Sequence, residues 1–337
     1  MKIMQRFNID GFMLAILAMV AFASIFPATG DAANAINWMT SAAIALLFLL
    51  YGARLSPQET WRGLRHWRLH GAVLSTTFIV FPLLGLAASV LVPTVLTQNL
   101  YTGLLFLCLV PSTVQSSIAF TSIARGNVAG AIVSASVSNL VGVFLTPILV
   151  LLLMNTSSQA HVNMSSILDI VLQLLLPFIA GQLLRPLVSG WLRRNATPTK
   201  LVDRGSIVLV VYSAFSAGMS EHIWTSTQPW RIVAVGLIVM VMLTLVLALT
   251  YACGRLFGFD RGDVLVLLFC GSKKSLAAGL PMAAVLFTGQ PVGMIVLPLI
   301  IFHQIQLIVC AWLSRRFAAQ ADKAEQGQPL EGAPAAS

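Results

Sequence analysis

Long apolar runs recur along almost the whole chain, and they decide which folds are open to it. Only 9% of the 337 residues are charged and 58% are hydrophobic, more apolar surface than one soluble core can bury. A transmembrane helix needs about 20 apolar residues. The sequence therefore predicts an all-α integral membrane protein with ten transmembrane helices. The predicted spans lie near residues 11–27, 35–54, 71–93, 100–124, 128–154, 166–185, 206–220, 231–254, 264–288 and 291–313.

The basic residues fall between the apolar runs and mostly on one side of the predicted membrane. If the N-terminus is cytoplasmic, all 20 Lys and Arg residues except Arg231, Lys273 and Lys274 lie in cytoplasmic segments. Positive charge is retained on the cytoplasmic side, so we expect a multi-pass protein of the inner or plasma membrane with both termini inside. Lys2 and Arg6 before the first run also fit a cleaved signal peptide, which stays an open alternative.

A basic connector from residue 187 to 204 divides the ten runs into two sets of five. An odd number of spans gives the two halves opposite orientations, so we predict inverted repeats over 1–155 and 165–316. The composition beyond Arg316 predicts a disordered cytoplasmic tail over 317–337. Polar and helix-breaking residues interrupt the fourth run of each half, and paired interruptions indicate the central binding site of a transporter.

The first interruption begins at Pro111, which removes a backbone donor from the fourth run. The carbonyls that it frees need partners that lipid cannot supply, whereas water, an ion or a solute can. Hydroxyl and amide groups that suit such ligands follow at once: Ser112, Thr113, Gln115, Ser116 and Ser117. The alternative is a simple proline kink whose Ser and Thr side chains bond back to their own helix.

The second interruption brings two lysines into the predicted ninth span. It comprises Gly271, Ser272, Lys273, Lys274 and Ser275, with Pro281 beyond. A lysine near the middle of the bilayer normally faces a cavity, has a partner or is neutral. Neighbouring residues on a helix point about 100° apart, so the two lysines share a pocket only if the backbone is unwound. The alternative is that they lie at a span end and extend to the headgroups.

Further polar residues interrupt the spans that follow the two breaks. The fifth run contains Ser134, Ser136, Ser138 and Asn139, and the tenth contains His303, Gln304 and Gln306; of these, Ser136, Asn139, His303 and Gln304 are the candidate site residues. His303 could relay a proton or be a core histidine held by a serine. Asp169, four residues before Gln173, is more typical of an interfacial carboxylate than of a relay.

Several classes of protein are not supported by the sequence. The four cysteines lie in apolar runs without a CxxC pair, so we expect neither a disulfide framework nor a zinc site. Enzyme motifs and close intramembrane carboxylates are missing, so we expect no catalysis and no cofactor. The net charge of +9 is spread over connectors rather than along one stripe, which argues against a nucleic-acid partner.

Two segments resemble a known family. PSTVQSSIAFTSIARGNVAGAIVSASVSNL, from Pro111 to Leu140, resembles the fourth-helix break and the following turn of the bile acid:sodium symporter family. GSKKSLAAGLP, from Gly271 to Pro281, is similar to the SBF-like (YfeH-type) branch of that family. The resemblance extends to about Arg316. It implies a core domain of spans 3–5 and 8–10, a panel domain of spans 1, 2, 6 and 7, and alternating access beside two crossed helices.

The resemblance also implies an ion site, from which this sequence departs. Ser116 and Ser117 fall on a pair of sodium ligands, which makes them the candidate Na⁺ ligands. The remaining ligand positions hold Ala131, Ala135, Phe269, Lys273 and Lys274. The coupling ion, H⁺ or Na⁺, therefore stays open. We expect one lysine of the pair, with Lys273 preferred to Lys274, to replace the ion by bonding the free carbonyls and the hydroxyls of Ser112, Ser116 or Ser117.

These features favour a secondary active transporter of a small organic anion. A buried ammonium beside the N-termini of two half-helices makes a positive pocket. A non-transporting membrane regulator of ion homeostasis or envelope-precursor traffic is the alternative. The expected partners are the solute and the lipid bilayer. The sequence does not predict the identity of the solute, the direction of transport or the oligomeric state.

Overall fold

A computed structural model describes residues 11–54, 66–154, 171–220 and 228–326, and among these there are helices and turns but no β-strand. A π-helical turn at Val171–Leu175 precedes the helix Leu176–Arg194, and another at Thr76–Val80 lies within the helix Trp67–Leu91. The helices are α1 Gly11–Ile25, α2 Gly30–Arg54, α3 Trp67–Leu91, α4 Gln98–Leu109, α5 Val114–Ile123, α6 Val128–Met154, α7 Leu176–Arg194, α8 Ala196–Ser220, α9 Pro229–Leu256, α10 Arg261–Gly271, α11 Leu276–Leu286 and α12 Val292–Gln326.

The helices have the length and apolar character of membrane spans. With α10 and α11 taken together, 8 segments of the described residues are long and apolar enough to cross a membrane, or up to 9 if α4 and α5, bent by 61°, form one span. Large apolar side chains lie exposed on α9, among them Val233, Leu237 and Val241, as expected for a lipid-facing helix. The chain is therefore an all-α integral membrane protein. The count of ten spans is not confirmed, because α1 contributes only 15 residues.

The helices pack in two groups. One group contains α1, α2, α7 and α8, and the other contains α3 to α6 and α9 to α12. These are the helices that the resemblance assigns to the panel and to the core, respectively. Most contacts between the groups are made by α8, which packs against α11 and α12. The inverted relation of the two halves stays a prediction.

Glycines bring backbones together within each group. A Cβ atom on Gly52 of α2 would lie 2.1 Å from the carbonyl oxygen of Phe178 on α7, and one on Gly181 would lie 2.0 Å from that of Leu49. In the core, a Cβ on Gly103 would lie 2.2 Å from the carbonyl oxygen of Ile295. Side chains at these positions would push the helices apart, so glycine is required for the packing within each group.

Two boundaries differ from the predicted ones. The connector before the predicted seventh span is helical, since α7 ends at Arg194 and α8 begins at Ala196. The last helix continues to Gln326 and so includes the first ten residues of the predicted tail. An ion pair between Arg125 and Asp322 holds this extension against the turn between α5 and α6. Residues 327–337 lie outside the described residues, so the tail stays a prediction there.

Candidate functional site

Both predicted interruptions are breaks in the helices, and they touch each other. The chain is non-helical between α4 and α5 at Pro111–Thr113 and between α10 and α11 at Lys273–Ser275. The Ser275 amide donates to the Pro111 carbonyl oxygen at 2.8 Å. The Thr113 hydroxyl donates to the Lys274 carbonyl oxygen at 2.9 Å. Each break therefore satisfies backbone groups that the other leaves free.

Serines of the first break bond to the end of α10. The Ser112 hydroxyl donates to the Cys270 carbonyl oxygen at 2.6 Å, and the Ser117 hydroxyl donates to that of Phe269 at 3.1 Å. The last carbonyls of a helix have no partner within the helix, so these hydroxyls replace water there. Ser272 bonds back to its own helix, at the Leu268 carbonyl oxygen. Ser112 and Ser117 therefore bond a different helix, unlike the side chains of a simple proline kink, which would bond back to their own.

The two lysines are fully buried, so neither extends to the headgroups. Lys274 Nζ donates to the carbonyl oxygens of Thr77, Cys108 and Val110. Lys273 Nζ lies 3.8 Å from the centre of the Phe120 ring and has no hydrogen-bond partner among the described residues. The expectation that Lys273 bonds the free carbonyls is wrong. The unwound chain turns Lys274 toward α3 and α4 and Lys273 toward α5.

Gln306 of α12 fixes the backbone of the second break. Its Oε1 accepts from the Lys274 amide at 2.9 Å, and its Nε2 donates to the Lys274 carbonyl oxygen at 2.9 Å and to His303 Nδ1 at 2.7 Å. Gln306 was predicted only as a polar interruption of the tenth span, whereas the predicted site residue Gln304 is half-buried and does not line the cavity described next. The missed signal is spacing, because Gln306 is one helical turn from His303 and therefore lies on the same face.

A cavity of about 290 Å³ lies between the two groups of helices, beside the crossing. It touches the first turns of both α5 and α11. The predicted site residues that line it are Thr113, Gln115, Ser116, Asn139, Ser275 and His303. The predicted residues Ser112, Ser117, Ser272, Lys273 and Lys274 are buried in the crossing and do not line it. Ser136 is half-buried on α6, away from this lining.

The panel side of the cavity carries charged side chains that the sequence analysis missed as site residues. Arg54, Lys200, Asp203 and Arg204 all line it. Arg54 and Asp203 form an ion pair, and Arg204 lies over the Phe12 ring. A neighbouring cavity of about 440 Å³ shares three of these four residues and adds Arg185 and Arg193. Only the fold brings this connector to the breaks, so no local pattern could have found it.

A further cavity of about 350 Å³ lies at the other end of α8. It is lined by Asn37, Thr40, Ser213, Thr288 and other small or polar residues, and none of the lining residues that the structure describes is charged. Gln173 lines it, whereas Asp169 lies outside the described residues. The described lining of this cavity is therefore neutral, unlike that of the first.

Of the predicted helix-breaking residues in the second interruption, Gly271 lies at a helix end and Pro281 does not. Gly271 is the last residue of α10, as expected of a break. Pro281 does not break the chain, because it lies inside α11, which continues to Leu286. Its fixed φ fits a helix, at the cost of one hydrogen bond.

The hydroxyls of the two candidate Na⁺ ligands, Ser116 and Ser117, differ in their hydrogen bonding. Ser117 bonds the Phe269 carbonyl oxygen, whereas the buried Ser116 Oγ has no partner in the described part of the chain. Across residues 11–54, 66–154, 171–220 and 228–326, no three His, Cys, Asp or Glu side chains form a metal-binding group.

Two broken helices that cross beside a cavity in a multi-pass helical protein define the class of secondary transporters. The chain belongs to the SBF-like CPA transporter family, whose model matches residues 10–319. This membership makes the protein a membrane transporter rather than an enzyme.

Relatives match the sequence of this chain over nearly their full length. The chain is 51% identical over 321 residues to "Uncharacterized protein PA2026" of Pseudomonas aeruginosa, covering 95% of this chain and 96% of the relative. It is 45% identical over 326 residues to "Putative symporter YfeH" of Escherichia coli, covering 96% and 98%. It is 27% identical over 315 residues to "Sodium/bile acid cotransporter 7" of Mus musculus, covering 92% of each chain.

Proposed function

We propose that the protein moves a small organic anion across the plasma membrane by alternating access, with both termini in the cytoplasm. The observation that carries this proposal is the lining of the 290 Å³ cavity, where two helix N-termini meet a mostly basic wall. A helix N-terminus carries about half a positive charge and presents unpaired amides. Two of them facing one cavity favour a carboxylate or a phosphate.

The first turn of α5 is the better candidate for direct contact with the anion. Thr113 precedes this helix, but its side chain accepts no hydrogen bond from the helix amides; its hydroxyl donates to the Lys274 carbonyl oxygen. In contrast, Ser275 caps α11 by accepting from the Ala278 amide at 3.2 Å. The amides of α5 are therefore left for a solute, and the unpaired Ser116 hydroxyl lies among them.

The charges on the panel side support the same sign of solute. Three of the four charged side chains on this wall are basic, and the single acidic one, Asp203, is paired with Arg54. Solutes with one or two acidic groups fit a cavity of this size, since small-molecule sites usually measure roughly 300–1,000 Å³.

Substitutions at the two ends of α5 test the proposal. Ser116→Asp puts a negative charge at the N-terminus, inside the cavity, and Ser122→Asp puts the same charge at the exposed C-terminus. A panel of organic anions, their amides and organic cations would be screened by thermal shift and by uptake into proteoliposomes. We expect anions alone to bind, and Ser116→Asp to weaken binding at least about tenfold, about 1.4 kcal/mol, with Ser122→Asp unchanged.

Two results would contradict the proposal. Stabilisation by cations or amides alone would contradict the sign of the solute. Binding without flux in the native protein, together with a cellular phenotype that a non-binding variant rescues, would instead favour a regulator.

A further inference from the structure

Lys274 sits in a cage of oxygen atoms that resembles a cation site. Its Nζ lies 2.9, 2.7 and 2.9 Å from the carbonyl oxygens of Thr77, Cys108 and Val110, and 4.3 Å from the centre of the Phe81 ring. A ring face attracts a cation, as carbonyl oxygens do. None of the ion pairs in the described residues involves Lys274. Its charge is therefore balanced by dipoles rather than by a carboxylate.

The carbonyl of Thr77 is free because of the π-helical turn in α3. The Phe81 amide, which would bond Thr77 in an α-helix, bonds Thr76 instead. The next residue is Pro82, which has no amide hydrogen to offer. Thr77 therefore has no backbone donor in either register, and Lys274 supplies one.

The other two carbonyls are free because α4 ends there. The Ser112 amide, which would bond Cys108 if the helix continued, donates to the Ser138 hydroxyl at 3.1 Å. Val110 is already extended, with ψ of 153°. The C-terminus of a helix carries a partial negative charge, so it stabilises an ammonium placed on it.

Three acceptors at these distances require three donors. An ammonium has three N–H groups, whereas a neutral amine would turn its lone pair toward one of the oxygens. We propose that the Lys274 ammonium is a cation built into the chain, which fills a monovalent-cation site and frees the crossing from any need for Na⁺ or K⁺. This inference concerns the coupling ion and in that respect rests on the proposed function, but the cage can be tested without transport.

The test compares the two neighbouring lysines. Lys274→Ala would empty the cage and leave its oxygens in place, and Lys273→Ala would remove an equally buried lysine that bonds no carbonyl. Thermal unfolding of each purified protein would be followed in choline chloride, NaCl, KCl and methylammonium chloride at one ionic strength.

We expect the melting temperature of the native protein to be the same in all four salts. Lys274→Ala should melt lower in choline and recover as methylammonium or Na⁺ is added, because a ligand of the folded state alone raises its stability with concentration. Lys273→Ala should show no such recovery. Lys274→Met, which fills the space without donors, should melt lower in every salt.

A requirement of the native protein for Na⁺ or K⁺ would overturn the proposal, and this measurement needs no variant to fold. Equal responses of Lys274→Ala and Lys273→Ala to the four salts would also overturn it. A failure to bind any organic anion would contradict the proposed function but leave this result standing.

Discussion

At the scale of single residues, the side chains that hold the crossing differ from those that face the cavity. Gln306 illustrates the first kind, since its amide makes three hydrogen bonds and lies fully buried. In these hydrogen bonds Oε1 accepts and Nε2 donates, so the network fixes which way round the amide lies. His303 Nδ1 is the acceptor of that network, which leaves its Nε2 to carry the proton of the neutral ring.

We expect Gln306→Glu to destabilise the protein by about 1–3 kcal/mol, because a carboxylate cannot donate to the Lys274 carbonyl or to His303. Gln304→Glu is the matched control, two residues away on the same helix and half-buried. Thermal unfolding in detergent measures both. Equal losses for the two variants would mean that any new carboxylate in this part of α12 is harmful and that the hydrogen-bond network is unimportant.

At the scale of the elements, the first break is shaped by close contact with α6. A Cβ atom on Gly142 would lie 2.5 Å from Cβ of Pro111 and 2.7 Å from its Cγ. Two residues of α6 also bond the break, since Ser138 accepts from the Ser112 amide and Thr146 donates to the Leu109 carbonyl oxygen at 2.8 Å. The position of the unwound segment therefore depends on α6.

Gly142→Ala should displace the break and lower stability by about 1–3 kcal/mol, the usual effect of overpacking. Gly236→Ala on α9 is the control, because its Cβ would have no neighbour closer than 4.0 Å. Alanine is the better helix former by about 1 kcal/mol, so the control should be neutral or stabilising. Melting temperature and anion affinity are the two measurements. Similar behaviour of the two variants would contradict a role for α6 in the break.

The sequence predicted the two breaks, but not which side chain bonds the freed carbonyls or which side chains line the adjoining cavity. Pro111 and the lysine pair interrupt apolar runs, and such interruptions can be recognised locally. Which lysine reaches the carbonyls depends on the π-helical turn of α3, and no residue near Lys274 in the chain encodes that turn. The basic wall at Arg54 and Lys200 was equally hidden, because residues far apart in sequence meet there only in the packed molecule.

At the scale of the whole molecule, two cavities lie along the same boundary between panel and core. α8 contributes Lys200 and Ile207 to the basic cavity and Val210 and Gly218 to the neutral one. Between them the boundary is closed by buried side chains such as Ile207 and Val210, which are 2% and 1% exposed. Connecting the two cavities would require these side chains to separate, and therefore a displacement of one group against the other.

Ala277→Cys in the basic cavity and Ala217→Cys in the neutral cavity test this arrangement, in a background without the half-buried Cys253. Membrane-impermeant maleimide should label Cys at position 277 from the cytoplasmic side and Cys at position 217 from the other side. Under the proposed alternating access, a bound anion should change the two rates in opposite directions. Labelling of both positions from one side, or parallel changes, would exclude the proposed exchange of access.

A cation that is covalently part of the chain has an electrical consequence. The charge of Lys274 returns to its starting place after every cycle, so without a co-transported ion the net charge carried is that of the solute alone. A potential of 100 mV, negative inside, acts on one elementary charge with about 2.3 kcal/mol. For the proposed anion, this work would be released on the way out of the cell. A carrier whose cation is fixed in the chain, and which moves an anion with no accompanying ion, would therefore be biased toward export.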